Sequence, residues 1–258
     1  MRYVVTGASG TVGRALTRFL TARNDEVIRW DRKRVSTSDY GEMEAFLKTV
    51  RPDRVVHLAF AADASSDEEA WPIDVEWVHE LAWACRTLRI PWVHVSTVLV
   101  FAPWQNGPFR ADSVPEAPDG YGARKKEGER RARRQDPNAR IVRLGWQIGE
   151  GGNQMAKWLA DRSDRAIGAS TTWMPACSFL DVTAPALVRA FDLPPGCYQV
   201  DSNRGWSFYE IASALVEHLQ KPWTVEPDQS FTQDQRLFDP WLEVPSLADR
   251  LTLRTLDA

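Results

Sequence analysis

The sequence predicts an α/β fold, a Rossmann-type doubly wound parallel sheet with a small C-terminal lobe set against its strand ends. Three observations predict it. Short apolar strand runs alternate with helical patterns through the first two-thirds of the chain. A glycine-rich turn follows the first strand directly, and outside that alternation the segments 147–178 and 202–258 are rich in Pro and Trp with weak periodicity. At 258 residues the chain can bury a full core.

Strands are expected at Tyr3–Thr6, Glu26–Trp30, Arg54–Leu58, Pro91–Val95 and Arg140–Leu144, separated by helices over Thr11–Ala22, Tyr40–Val50, Trp71–Leu88 and Tyr121–Gln135. A helical segment, Val182–Phe191, leads to a further strand, Gly196–Val200, that returns to the same sheet. Residues 1–147, with 179–201 returning to them, are therefore expected to form the sheet domain. Residues 148–178 and 202–258 form the substrate-binding lobe, capping the edge where doubly wound sheets bind their ligands.

A net charge of −3 gives no reason to expect nucleic acid or an acidic membrane as a partner. The basic stretch Arg124–Arg134 is interleaved with Glu127 and Glu129, each four residues before an arginine, so it reads as a solvated face laced by ion pairs. No apolar run is long enough to span a bilayer and no signal peptide precedes the first strand, which points to a soluble, cytoplasmic protein. Cys85, Cys177 and Cys197 suggest neither a disulfide framework nor a zinc site, and His57, His79, His94 and His218 lack metal-ligand spacing. Twelve tryptophans are many for this length; Trp71, Trp104, Trp173, Trp223 and Trp241 fall in polar or loop-like segments, where they pack a lobe or stack on a sugar or base.

Residues 4–13 read Val-Val-Thr-Gly-Ala-Ser-Gly-Thr-Val-Gly. Gly7 allows the tight turn off the strand, Gly10 lets the backbone approach a pyrophosphate, and Gly13 lets the helix pack close to the sheet. Ser9, Thr11 and Val12 complete this cradle, and the helix N-terminus adds free N–H groups and positive dipole. Asp31 stands where a carboxylate holds adenosine ribose hydroxyls, which favours NAD(H) slightly; Arg32, Lys33 and Arg34 follow at once and keep NADP(H) open. Further on, Tyr121 and Lys125 share one helix face. A neighbouring ammonium would lower the phenol's pKa and make it a usable proton donor, while the same lysine holds a nicotinamide ribose. Thr97, closing a strand 24 residues upstream, would orient the substrate oxygen.

With these pieces the chain resembles the extended short-chain dehydrogenase/reductases, most closely the dTDP-4-dehydrorhamnose reductase family. The resemblance rests on Thr6–Gly13, Pro52–Ala59, Val93–Phe101, Tyr121–Lys125 with Glu127-Gly128-Glu129, and Arg143-Leu144-Gly145-Trp146. It implies Thr97, Tyr121 and Lys125 as the catalytic triad, Trp146 in the sugar pocket, Leu58, Ala59 and Phe60 beside the dinucleotide, and Asp39-Tyr40 at the adenine. It also implies Ser96 as the alternative to Thr97, since neighbouring families differ by one position there. The substrate it implies is a nucleotide sugar or another small ketone. Arg236 is a candidate grip on the diphosphate. Two departures matter: Val98 and Leu99 stand where the family carries Asp and Tyr, and Ala15 stands where some relatives hold a bridging metal, so no metal is expected. Homodimers are common in the superfamily, an analogy that leaves the oligomeric state open.

The reading is a keto-sugar reductase. An NAD-retaining sugar-nucleotide epimerase uses the same three residues, but its C-terminal half is usually longer. A dehydratase needs an acid and a base right after the catalytic Thr, which Val98 and Leu99 cannot supply. A non-catalytic dinucleotide-binding regulator also shares the fold.

Overall fold

Six parallel strands form the central sheet: β1 (Arg2–Thr6), β2 (Glu26–Arg29), β3 (Arg54–His57), β4 (Trp92–Thr97) and the strands Arg140–Leu144 and Gly196–Val200. Their spatial order is β2, β1, β3, β4, Arg140–Leu144, Gly196–Val200, so the winding reverses between β1 and β3. Thr6 pairs with His57, His57 with His94, and Thr97 with Leu144, which brings the C-terminal ends of these strands to one edge. The computed structural model describes residues 1–149, 166–220 and 222–252; the remainder of the expected lobe, at 150–165, 221 and 253–258, lies outside the described residues.

Because both faces of the sheet are covered, each strand must be apolar on both sides. Tyr3, Val5, Val56, Val93 and Val142 face α1 (Thr11–Ala22) and the helix Leu180–Arg189. Val4, Val55, Trp92 and Ile141 face α2 (Tyr40–Val50) and the helices that follow. α1 forms because Leu16 and Leu20 recur at helical spacing with Gly13 and Ala15 on the buried stripe. α2 starts where the Asp39 carboxylate accepts a hydrogen bond from the Glu42 N–H.

The expected helix Trp71–Leu88 is three pieces. α3 (Asp67–Trp71) leads into one turn of π-helix, Pro72–Glu76, and then α4 (Trp77–Leu88). Pro72 has no N–H to close a regular turn, so the ladder widens there.

α5 (Gly120–Gln135) buries Gly122, Lys125, Gly128, Glu129 and Ala132, a stripe at helical spacing made of small and charged residues rather than oily ones. Its ion pairs differ from the sequence expectation. Glu127 pairs with Arg130 and Arg131 on the surface side, but Glu129 turns inward and grips Arg143 of the sheet at 3.0 and 2.8 Å. Both charges are sealed from solvent, and the Arg143 guanidinium lies over the Phe101 ring.

Beyond the sheet, long-range parallel pairs of a few residues connect the rest: Ala166–Ser170 with Thr224–Asp228, Trp173–Met174 with Gln233–Asp234, and Phe109–Arg110 with Leu237–Phe238. Buried Asp201 knots them together, accepting from the N–H groups of Cys177, Asn203 and Leu237.

Breaking the Glu129–Arg143 pair strands a buried guanidinium. Glu129→Gln is expected to cost about 3–5 kcal/mol of unfolding free energy, whereas Glu127→Gln on the wet side of α5 costs under about 1 kcal/mol; urea denaturation of the two variants checks the contrast.

Candidate active site

The turn after β1 is built on close backbone approach. Gly7 takes φ +63°, and a Cβ there would come within 2.8 Å of the Ala59 nitrogen; a Cβ on Gly13 would overlap the Gly7 carbonyl oxygen. Gly10 is the N-cap of α1 and supplies no side-chain cap, nor does the first turn carry an acidic residue. α2 and α3, by contrast, are capped by Asp39 and Ser66. The α1 N-terminus therefore keeps its partial positive charge for an outside anion, and the cradle Gly7–Gly13, with Ser9 exposed at its tip, fits a pyrophosphate.

Thr6 ties this turn to the next strand end. Its Oγ1 accepts from the backbone N–H groups of Leu58 and Ala59 at 3.1 Å each and lies 2.9 Å from His57 Nδ1. Phe60 then emerges into solvent with its ring edge-on to Tyr121, centroids 5.9 Å apart. Asp31 and Arg32 follow β2 on the same edge of the sheet and are exposed, with Asp31 Oδ1 accepting from the Lys33 N–H. The Asp39 carboxylate caps α2 and the Tyr40 ring packs edge-on against Trp83 of α4.

α5 meets the end of β4 at van der Waals contact. A Cβ on Gly122 would overlap the Leu99 carbonyl oxygen, so only glycine lets the helix reach the 3₁₀ turn Val98–Val100 that follows β4. Lys125, fully buried, donates from Nζ to the Val95 carbonyl at 2.8 Å. The Thr97 hydroxyl accepts from the Leu99 N–H at 3.2 Å, which leaves its own proton to donate. Ser96, on the opposite face of the strand, has its hydroxyl buried away from solvent, so of the two neighbours Thr97 fits the orienting role.

The electrostatics correct one expectation. Burial, then the Asp74 carboxylate, push the Tyr121 phenol above its ordinary value, while the Arg124 guanidinium pulls it down; Lys125 is not the group that sets it. Burial instead lowers Lys125 itself to about 8 against the support of Asp74 and Glu129. Behind the lysine, His57 and His94 stack at 5.4 Å, and burial lowers both, His57 to about 3, so they are neutral.

Leu99 opens onto a cavity of about 690 Å³, a volume suited to a small-molecule ligand. Trp146, Trp173, Phe208 and Phe231 line it with Ser170, Asp228 and Gln235. Trp146 is where the sequence expects it. Trp173 was marked by its loop position, and its indole N–H is fixed by Gln235 at 2.8 Å. Phe208, Phe231 and Gln235 are not among the expected residues: Phe208 opens the helix Phe208–His218, whose capping box Ser207–Glu210 is the signal that could have marked it, whereas Phe231 and Gln235 flank the two-residue strand Gln233–Asp234. The Arg236 guanidinium is held by the Asp234 carboxylate through two nitrogens and by the Arg204 carbonyl through the third.

Comparison with known proteins follows the same lines. Residues 1–171 match the family described as RmlD substrate binding domain. A dTDP-4-dehydrorhamnose reductase of Streptomyces griseus is 30% identical over 243 residues, covering 89% of this chain and 80% of the relative. The solved dTDP-4-dehydrorhamnose reductase of Bacillus anthracis str. Ames, in complex with NADP, superposes with a TM-score of 0.80 at 20% identity, covering 95% of each chain. The Bordetella bronchiseptica enzyme WbmH, in complex with NAD+, superposes with a TM-score of 0.74 at 18% identity, covering 92% of this chain and 89% of that one. With a glycine cradle, a Tyr–Lys helix and an aromatic cavity meeting at one sheet edge, the chain belongs to the RmlD substrate-binding-domain family.

Proposed function

We propose that this protein is an NAD(P)H-dependent reductase of a keto group on a nucleotide-activated deoxysugar. One observation carries the reading: α5 presents Tyr121 and Lys125 against the end of β4, where Thr97 has a free hydroxyl proton, beside an aromatic cavity and on the sheet edge that holds the glycine cradle. The Streptomyces griseus relative, named for a dTDP-linked dehydro sugar, supports the substrate class. The NADP and NAD+ complexes of the Bacillus and Bordetella proteins support a nicotinamide dinucleotide of either kind. Asp31 favours NAD(H) and the basic run after it admits a 2′-phosphate.

A bound reduced dinucleotide supplies hydride to the carbonyl carbon. Thr97 donates a hydrogen bond that orients the carbonyl oxygen, and Tyr121 gives it a proton; the raised phenol pKa keeps that proton in place until negative charge develops on the oxygen. Lys125, anchored on the Val95 carbonyl, holds the ribose and a positive charge near the phenolate that remains. Residues 148–178 and 202–258 act as the substrate lobe.

Tyr121→Phe is expected to lower kcat by about 10²–10⁴-fold with dinucleotide affinity largely kept. Thr97→Val should lower it by about 10²-fold or more and Ser96→Ala by no more than a few-fold; a loss confined to the Ser96 variant would reassign the hydroxyl. Titration with NADH and NADPH, read by nicotinamide fluorescence, should show reversible binding that tightens with a dTDP-linked or UDP-linked keto sugar. A tightly held NAD that survives washing would point instead to the epimerase, and absence of binding by either dinucleotide would overturn both.

A further inference from the structure

Asp74 lies in the π turn between α3 and α4, fully buried, and is shared by three segments. Its Oδ1 accepts from the Ala61 backbone N–H at 2.9 Å and its Oδ2 from Arg124 Nε at 2.9 Å. Its backbone oxygen lies where a Cβ on Gly128 would come within 2.8 Å, so α5 rests directly on the π turn. Arg124 is itself mostly buried and reaches on to Asp67 at the start of α3. In sequence Arg124 stands between Tyr121 and Lys125, and Ala61 follows Phe60, whose ring abuts Tyr121. One ion pair thus fixes both the loop that packs on the phenol and the helix that carries it.

We propose that the Asp74–Arg124 pair is the positioning element of Tyr121 and Lys125, holding the Phe60 loop and the first turns of α5 in one arrangement and setting a carboxylate beside the buried ammonium. The proposal rests on the reductase reading for the roles of Tyr121 and Lys125. The groups that face Lys125 are His57 from β3, His94 from β4, Asp74 from the π turn and Glu129 from its own helix. The histidines are neutral, so the two carboxylates oppose the burial that would otherwise strip the lysine of its proton.

The test is NMR titration of the full chain labelled with ¹³Cε-lysine. The protein has six lysines, and Lys125→Arg assigns the resonance. The wild-type midpoint is expected near 8. In Asp74→Asn it should fall by about one pH unit or more, and in Arg124→Gln, which leaves Asp74 unopposed, it should rise. Loosened packing alone would admit water and raise both midpoints toward the ordinary 10.5, so a fall in Asp74→Asn is a signature that a merely structural residue does not give. If Asp74→Asn does not fold, Arg124→Lys decides: it keeps the charge and should return the midpoint of the Arg124→Gln variant to the wild-type value. Unmoved midpoints, or a rise in Asp74→Asn, overturn the proposal. A wild-type protein that binds dinucleotide but reduces no keto sugar would overturn the reductase reading and leave the titration result as it stands.

Discussion

The arrangement depends on how closely α5 can approach the sheet. Two missing Cβ atoms permit it: Gly122 admits the Leu99 carbonyl and Gly128 the Asp74 carbonyl, so backbone meets backbone at both points. A helix that close cannot bury large apolar side chains on that face, because there is no depth for them. It buries Lys125 and Glu129 instead, each satisfied by a partner it can reach only from this position, the Val95 carbonyl and the Arg143 guanidinium. The geometry that presents Tyr121 and the chemistry that surrounds it are consequences of the same two glycines.

That constraint explains which parts of the fold were legible. α1, α2 and the strands Arg140–Leu144 and Gly196–Val200 begin and end at the residues the sequence indicates, since an apolar stripe or a short β-branched run between polar breaks settles them locally. The polarity of α5 invites a different reading, a wet helix with all its charges paired along its own axis, and this holds for Glu127 but fails for Glu129. Gly128 stands between the two glutamates and does not tell them apart; what does is the turn of the helix, which puts Glu129 on one stripe with Gly122, Lys125 and Ala132 and leaves Glu127 off it. The break at Pro72 is not legible in the same way, since a proline in the first turn of the expected helix Trp71–Leu88 is tolerated; the π turn that aims Asp74 at α5 belongs to the packed structure.

The site divides in the same way. Glycine spacing, Tyr121 with Lys125, and the Ser-Thr strand end are local patterns whose chemistry follows from residue type, and the structure brings them to one edge of the sheet. The cavity is not local. Its rings come from four separate places, Trp146 and Trp173 on strands of three and two residues, Phe208 at the start of the helix Phe208–His218, and Phe231 in a connection, so no single period joins them. The pairing of Arg236 with Asp234, two residues before it, is likewise a feature that the sequence does not show.

The layer beneath α5 is close to electrically neutral, and that neutrality governs what it can do. Lys125, Arg124 and Arg143 supply positive charge; Asp74, Glu129 and, at the solvent end, Asp67 balance it. The two histidines on the sheet contribute nothing to the balance, because burial keeps them neutral. In such a layer a charge cannot be removed without stranding its partner in low dielectric, where an unpaired ion costs several kcal/mol. Burial first, and the Asp74 carboxylate second, oppose ionisation of the Tyr121 phenol, with the Arg124 guanidinium acting the other way. Asp74 faces both residues: the same carboxylate that opposes ionisation of the Tyr121 phenol supports the charge of the buried Lys125, so a single side chain links the two.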